Sequence, residues 1–148
     1  MQQADSLREN LLLAWMEMAV CIRGNRFLSR LSFNESLVCS LLYRRMKNCD
    51  PPMTAADLCR RTRLLKSQMN QVLSGMEKKG LICRTPSDTD RRSVCVSLQE
   101  DAVPTYLAEH AGILKVVGRV CDSLGPSQTR ELTRLLHAAV QAVDSDSQ

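Results

Sequence analysis

Residues 54–84 read TAADLCRRTRLLKSQMNQVLSGMEKKGLICR, and their spacing decides the fold. Thr54 followed three residues later by Asp57 is a capping-box-like start, opening a short helix with Ala55, Leu58, Cys59 and Thr62 on its inner face. A tight turn over Thr62–Leu64 leads into a second helix, expected from Leu65 to Lys79 and closed by Gly80 as its C′ residue. At about 100° per residue, Met69, Val72, Leu73 and Met76 form one apolar face of that helix. Ser67, Gln71, Ser74 and Lys78 lie opposite, with Gln68 and Asn70 on the flanks. Two helices joined in this way form a helix-turn-helix. Past Gly80 the apolar period drops to two: Leu81–Thr85 and Ser93–Leu98 read as paired strands, and Pro86-Ser87-Asp88-Thr89-Asp90 as the loop between them.

Outward from this centre the chain is helical. Asn34 is expected to cap a helix burying Leu37, Val38, Leu41 and Leu42, which stops before Asp50-Pro51-Pro52. Leu7, Leu11, Ala14, Met18 and Ile22 recur at helical spacing, predicting one long helix from Asp5 to about Arg30. Two more helices close the chain. One carries Val103 to Leu124, and the other, with Pro126 at N1, carries Leu132 to Val143 ahead of a frayed tail at 145–148. The expected fold is mainly α with a small β-hairpin, a winged helix-turn-helix flanked by N- and C-terminal dimerisation helices. Residues 1–148 form a single subunit, 34–98 the winged lobe, and 5–30 and 101–143 the arms. The arms' apolar stripes are too far from the small lobe to pack wholly on it, so they are expected to pair between subunits.

The composition agrees. The 148 residues are 44% hydrophobic and only 3% aromatic, a core of Leu, Val, Ala, Met and Cys that suits helices better than a sandwich. The longest apolar run near the N-terminus, Leu11–Met16, is framed by Glu9 and Glu17 and is far short of a membrane span, so a cytoplasmic protein is expected. Seven cysteines occur without a CxxC pair, reading as reduced, mostly core-filling thiols rather than metal ligands. Residues 54–98 hold nine basic and four acidic groups, whereas the rest of the chain is nearly balanced. A basic middle suits a polyanionic partner, and equally a solvated surface.

The sequence offers little to an enzyme. His110 and His137 lack ligand-spaced Cys or Asp and are expected at exposed or interfacial helix positions. Gly75 and Gly80 have phosphate-loop spacing, but Leu81-Ile82 follows where Lys and Ser/Thr would be needed. The polar face of the second helix is more informative. Ser67, Gln68, Asn70, Gln71 and Ser74 are short-armed donors and acceptors of the kind that read base edges, since Asn and Gln can bond adenine N6 and N7 together. Lys66 at that helix's start can meet a phosphate. Beside the hairpin tip, Asp90 can restrain Arg91 and Arg92, whose side chains can enter a narrow A·T minor groove.

With these features together, the sequence resembles the multiple-antibiotic-resistance regulator (MarR) family. Leu58, Lys66, Ser67, Leu73, Glu77, Lys79, Gly80, Leu81, Arg84 and the Asp90-x-Arg92 wing sit where the family pattern has such residues. Arg63 replaces its turn glycine, Thr62 an apolar residue, Leu65 the polar N-cap, and Gln71 a frequent Arg, so Ser67 is expected to cap about one residue late. The resemblance implies a homodimer on a pseudo-palindromic DNA operator, acting as a ligand-responsive repressor or, less often, an activator, and no cofactor is expected. A small amphipathic or phenolic effector would bind between arms and lobe, where Tyr43, Trp15 and nearby Met residues are candidates for its lining or simply for the core. One branch of the family senses peroxide through a cysteine near the start of the first helix. Cys21, well along that helix beside Ile22, and Cys95, on a strand's outward face, are the candidates here. A winged helix used for protein contacts is the other alternative.

Overall fold

Burying Met69, Leu73 and Met76 on one side of a single helix needs a second helix and a sheet to cover them. The computed structural model, which describes residues 2–24 and 30–145, supplies both. Its elements are α1 (Gln2–Gly24), α2 (Phe33–Lys47), β1 (Met53–Thr54), α3 (Ala55–Thr62), α4 (Lys66–Lys78), β2 (Ile82–Pro86), β3 (Val94–Leu98), a 3₁₀ turn (Glu100–Ala102) and α5 (Val103–Ser145). The strands form one antiparallel sheet in the order β1-β3-β2, with Ile82 opposite Leu98 and Met53 opposite Val96. Those four side chains, Val38, Cys39 and Leu42 of α2, Leu58 of α3 and the α4 stripe make the core, which Ala102 and Tyr106 extend. This is the mainly helical winged fold read from the sequence, with one addition. Strand β1 escapes sequence reading because it is two residues long and Thr54 also caps α3.

Helix boundaries moved where capping chemistry differs from the sequence reading. Ser32, not Asn34, caps α2: its Oγ accepts the Glu35 N–H (3.2 Å) while Glu35 Oε2 accepts the Ser32 N–H (2.8 Å). A reciprocal box with Glu three residues on satisfies two end donors, which Asn34 inside the first turn does not. Helix α1 is described from Gln2 to Gly24 and Arg30 stands in a bend; residues 25–29, the remainder of the run expected to about Arg30, lie outside the described residues. Thr54 and Asp57 form the expected box, with Thr54 N–H to Asp57 Oδ2 at 3.0 Å and Asp57 N–H to Thr54 Oγ1 at 3.1 Å. At Gly80 the chain turns left-handed (φ 70°), and the N–H groups of Leu81 and Gly80 close on the Met76 and Glu77 carbonyls. That is a Schellman stop.

The chain falls into two compact units, 1–110 and 111–148. The second is helical and broken at Gly125 (φ 75°, ψ 167°), with Pro126 opening the next helical stretch as expected. Residues 146–148 of the expected tail lie outside the described residues. No described helix is long and apolar enough to cross a membrane.

Helix α2 ends in a second Schellman arrangement, Cys49 N–H to the Met46 carbonyl (3.2 Å) and Asp50 N–H to the Arg45 carbonyl (3.0 Å). Its left-handed residue is an exposed Cys49 at φ 55° rather than glycine. A Cβ in that conformation crowds the next carbonyl, a cost glycine avoids. Cys49→Gly should therefore raise unfolding free energy by about 0.5–1 kcal/mol, part of the gain being offset by glycine's freer unfolded chain. Equilibrium urea denaturation checks it.

Candidate nucleic-acid interface

Helix α3 ends on a left-handed Arg63 (φ 59°), in the place where the family pattern has glycine, and its N–H closes on the Cys59 carbonyl at 2.8 Å. Thr62 replaces an apolar residue and uses its hydroxyl twice. It donates to the Leu58 carbonyl (2.7 Å) and accepts the Leu64 N–H (3.4 Å), satisfying a turn donor that an alkyl group would leave bare. The turn is built without its usual glycine.

Helix α4 starts at Lys66, with Leu65 as an extended N-cap (φ −65°, ψ 153°). Ser67 does not cap it late, as expected from the sequence. Leucine has no acceptor, and the one side-chain bond at this end is Gln68 Oε1 accepting the Leu65 N–H at 3.0 Å. Met69, Leu73 and Met76 are fully buried, whereas Lys66, Ser67, Gln68, Asn70 and Gln71 are all exposed on the first turn and a half. Ser74 stands apart from that group. It is half-buried and accepts from Arg84 Nη2 (3.5 Å), and Arg84 also donates to Glu77 Oε2 through Nε (3.0 Å) and Nη2 (2.6 Å). This fork ties β2 to the flank of α4 and fixes the wing beside it.

The wing tip is ordered by one serine and one aspartate. Ser87 Oγ, almost buried, accepts the N–H groups of Thr89 and Asp90, both at 3.3 Å. Asp90 Oδ1 accepts the Arg92 backbone N–H (3.0 Å) and Oδ2 the Ser93 hydroxyl (2.8 Å). These bonds, the Arg92 N–H first, hold the Asp90 carboxyl below its ordinary pKa. Asp90 thus restrains the arginines through the backbone, leaving the Arg91 and Arg92 side chains exposed.

A link the sequence reading missed seats the far end of α4. Lys79 Nζ lies 2.8 Å from both Glu35 oxygens and 3.5 Å from the Arg30 carbonyl, and the Arg30 N–H donates to buried Glu109 Oε1 at 3.2 Å. Glu35 is therefore the cap of α2 and the anchor of α4 together. The S-x-x-E spacing of Ser32 and Glu35 was its available signal.

The other singled-out residues scatter. Cys21 is exposed rather than lodged in apolar surroundings, and Cys95 is half-buried on the outward face of β3, where the register places Cys83 diagonally across the hairpin. None of the seven cysteines is in a disulfide, and only Cys39 is fully buried, its thiol pushed up to about 12 by burial and then by Glu35. The expectation of mostly core-filling thiols is thus corrected. Trp15 is exposed on α1, whereas Tyr43 packs on Tyr106 (centroids 5.2 Å apart) and Tyr106 on a half-buried His110 (5.6 Å). His137 is exposed. Among the described residues no three His, Cys, Asp or Glu side chains gather as a metal site.

Residues 45–93, from the end of α2 to the wing tip, match the family model described as MarR family. That stretch, about a third of the chain, is similar to the MarR family. No curated protein matches the sequence. Its fold is similar along nearly its whole length to MarR-type regulators of known structure. The transcriptional regulator BldR from Sulfolobus solfataricus is 18% identical, with a TM-score of 0.72 over 93% of this chain and 96% of that one. Streptomyces coelicolor PcaV, solved with its natural ligand, is 16% identical (TM-score 0.72, 89% and 91% covered). Bordetella bronchiseptica BpsR, whose DNA binding is regulated by 6-hydroxynicotinic acid, is 17% identical (TM-score 0.73, 89% and 91% covered).

Two outcomes test this geometry. In the folded chain Thr54, chiefly through its backbone N–H and then its hydroxyl, holds the Asp57 carboxyl below its ordinary value. The stability this gives is whole above the unfolded carboxylate pKa of about 4 and drains as pH falls through the lower folded value. The urea midpoint should therefore drop between about pH 5 and pH 3, and Asp57→Asn should blunt that drop. Lys79→Met leaves the Glu35 carboxylate, 8% exposed, without its cation. Because Lys79 itself is half exposed, the expected loss is about 1–3 kcal/mol, partly recovered on adding Glu35→Gln in a double-mutant cycle.

Proposed function

We propose that this protein is a MarR-type, homodimeric, ligand-responsive repressor that binds a pseudo-palindromic operator. Ser67, Gln68, Asn70 and Gln71 read base edges in the major groove, and Lys66, Arg91 and Arg92 grip phosphates and the adjacent minor groove. The observation that carries this is the exposed first turn and a half of α4, all short polar arms and one lysine above a fully buried stripe. The Arg84–Glu77 fork beside it holds a wing whose tip presents two arginines. A merely solvated helix would ordinarily carry Glu–Lys pairs there. Ser74 is assigned to the wing contact instead of to bases.

Dimerisation rests on exposed apolar side chains. Leu7, Leu11, Trp15, Met18 and Ile22 on α1, and Leu114, Val117, Leu135, Leu136, Val140 and Val143 on α5, are each close to half exposed or more in the single chain. Water-facing stripes of that extent mark an interface, here with a second copy. For the effector, an aromatic anion suits the Tyr43–Tyr106–His110 stack. Nearby on α2, Arg44 lines a cleft of about 260 Å³ with Arg45 and Arg61.

The test starts with duplexes selected from a random pool by the purified protein. The selected site should be two-fold symmetric with half-sites about 10 base pairs apart. Gln71→Ala or Asn70→Ala should lose about 1–3 kcal/mol on it and relax base choice. Arg92→Ala should weaken all sequences together and reduce the salt slope by about one unit. Equal losses on specific and random DNA for Gln71→Ala, or binding indifferent to salt, would count against this reading, the latter favouring a protein-contact module.

A further inference from the structure

Two leucines meet in the turn before α4 and are used differently. Leu64, just ahead of the N-cap, packs against the core, and Met69 five residues on is buried there, the positions of a hydrophobic staple. Leu65 is 69% exposed. It occupies the N-cap, where Ser, Thr, Asp or Asn would accept an end N–H, and so it forgoes that bond. Its backbone is pinned on both sides, the N–H to Gln68 Oε1 and the carbonyl to the Met69 N–H at 2.9 Å. The side chain therefore projects from a fixed point at the leading end of the helix, beside Lys66 and Ser67. Neither capping nor core packing accounts for an isobutyl group there.

In a B-form major groove the apolar feature that tells one base from the others is the C5-methyl group of thymine. We propose that Leu65 is a specificity-determining residue that reads a thymine C5-methyl at the leading end of α4, an inference that rests on the DNA-binding reading above. The neighbouring amides suit adenine, and Arg91 and Arg92 suit a narrow A·T minor groove, so an apolar contact to thymine extends the same base preference. An Asn or Asp N-cap would have stabilised the helix better but has no alkyl group with which to make this distinction.

The experiment uses the full-length protein and the duplex it selects from a random pool, with each thymine of one half-site replaced in turn by deoxyuridine, which lacks only the methyl. One position should lose about 3- to 10-fold in affinity with the wild-type protein. That loss should vanish in Leu65→Ala and Leu65→Asn and persist in Leu65→Met, while the penalties for changing the bases read by Asn70 and Gln71 stay as they were. Matching thermal melts by circular dichroism show that the variants are folded. If no thymine is sensitive to loss of its methyl, or if the sensitive one remains so in Leu65→Ala, the role of Leu65 is overturned while DNA binding stands. If no duplex is enriched at all, the DNA-binding reading falls, and this inference with it.

Discussion

The seating of α4 is the constraint on which the rest depends. A helix of 13 residues exposes every face unless neighbours cover it, and here Met69, Leu73 and Met76 are driven fully out of water beneath α2 and the sheet. Burying three such side chains is worth several kcal/mol, far more than any single polar contact at the surface. It fixes the rotation of the helix about its axis, and thereby which residues face out. A turn of 100° either way would bury Asn70 or Gln68 and expose methionine.

Rotation alone does not fix tilt or position, and polar contacts on the flanks do that. Arg84 reaches from β2 to Glu77 and Ser74, and Lys79 reaches from the end of α4 to Glu35. Each is a charge-assisted contact between different elements, geometrically narrow where the apolar core is tolerant. The Glu35–Lys79 pair also joins the bend at Arg30, which Glu109 of α5 holds from the other side. A displacement at the base of α5 or at the Arg30 bend therefore has a short path to the proposed reading helix.

The turn shows how a sequence can leave a family pattern and keep its geometry. Arg63 takes the left-handed position at a conformational cost, Thr62 supplies the hydrogen bond that an irregular turn needs, and Gln68 serves the N-cap N–H that Leu65 cannot reciprocate. Two of these departures place side chains at the protein surface. Arg63 brings a charge to the turn, and Leu65 an exposed apolar group to the leading end of α4.

What the sequence determined by itself is what local physics governs. The 3.6-residue stripe of α4, the change to period two after Gly80, the Thr54–Asp57 box and the Gly125-Pro126 break each depend on residues within a few positions of one another, and each stands in the structure as read. The short polar arms at 66–71 were legible because periodicity alone puts them opposite the core. Tertiary structure decided whatever depends on a distant neighbour. Ser74 has the same periodic signature as Ser67, yet Arg84, ten residues away, draws it to the wing. Cys21 reads as buried from its apolar neighbours and is exposed, because apolar sequence neighbours on one helix do not by themselves cover a face of α1. Strand β1 exists because β3 offers two residues of open edge, and Glu35 became an anchor because Lys79 arrives 44 residues later. Periodicity assigns a side chain to a face of its own helix, but only the fold decides what lies against that face.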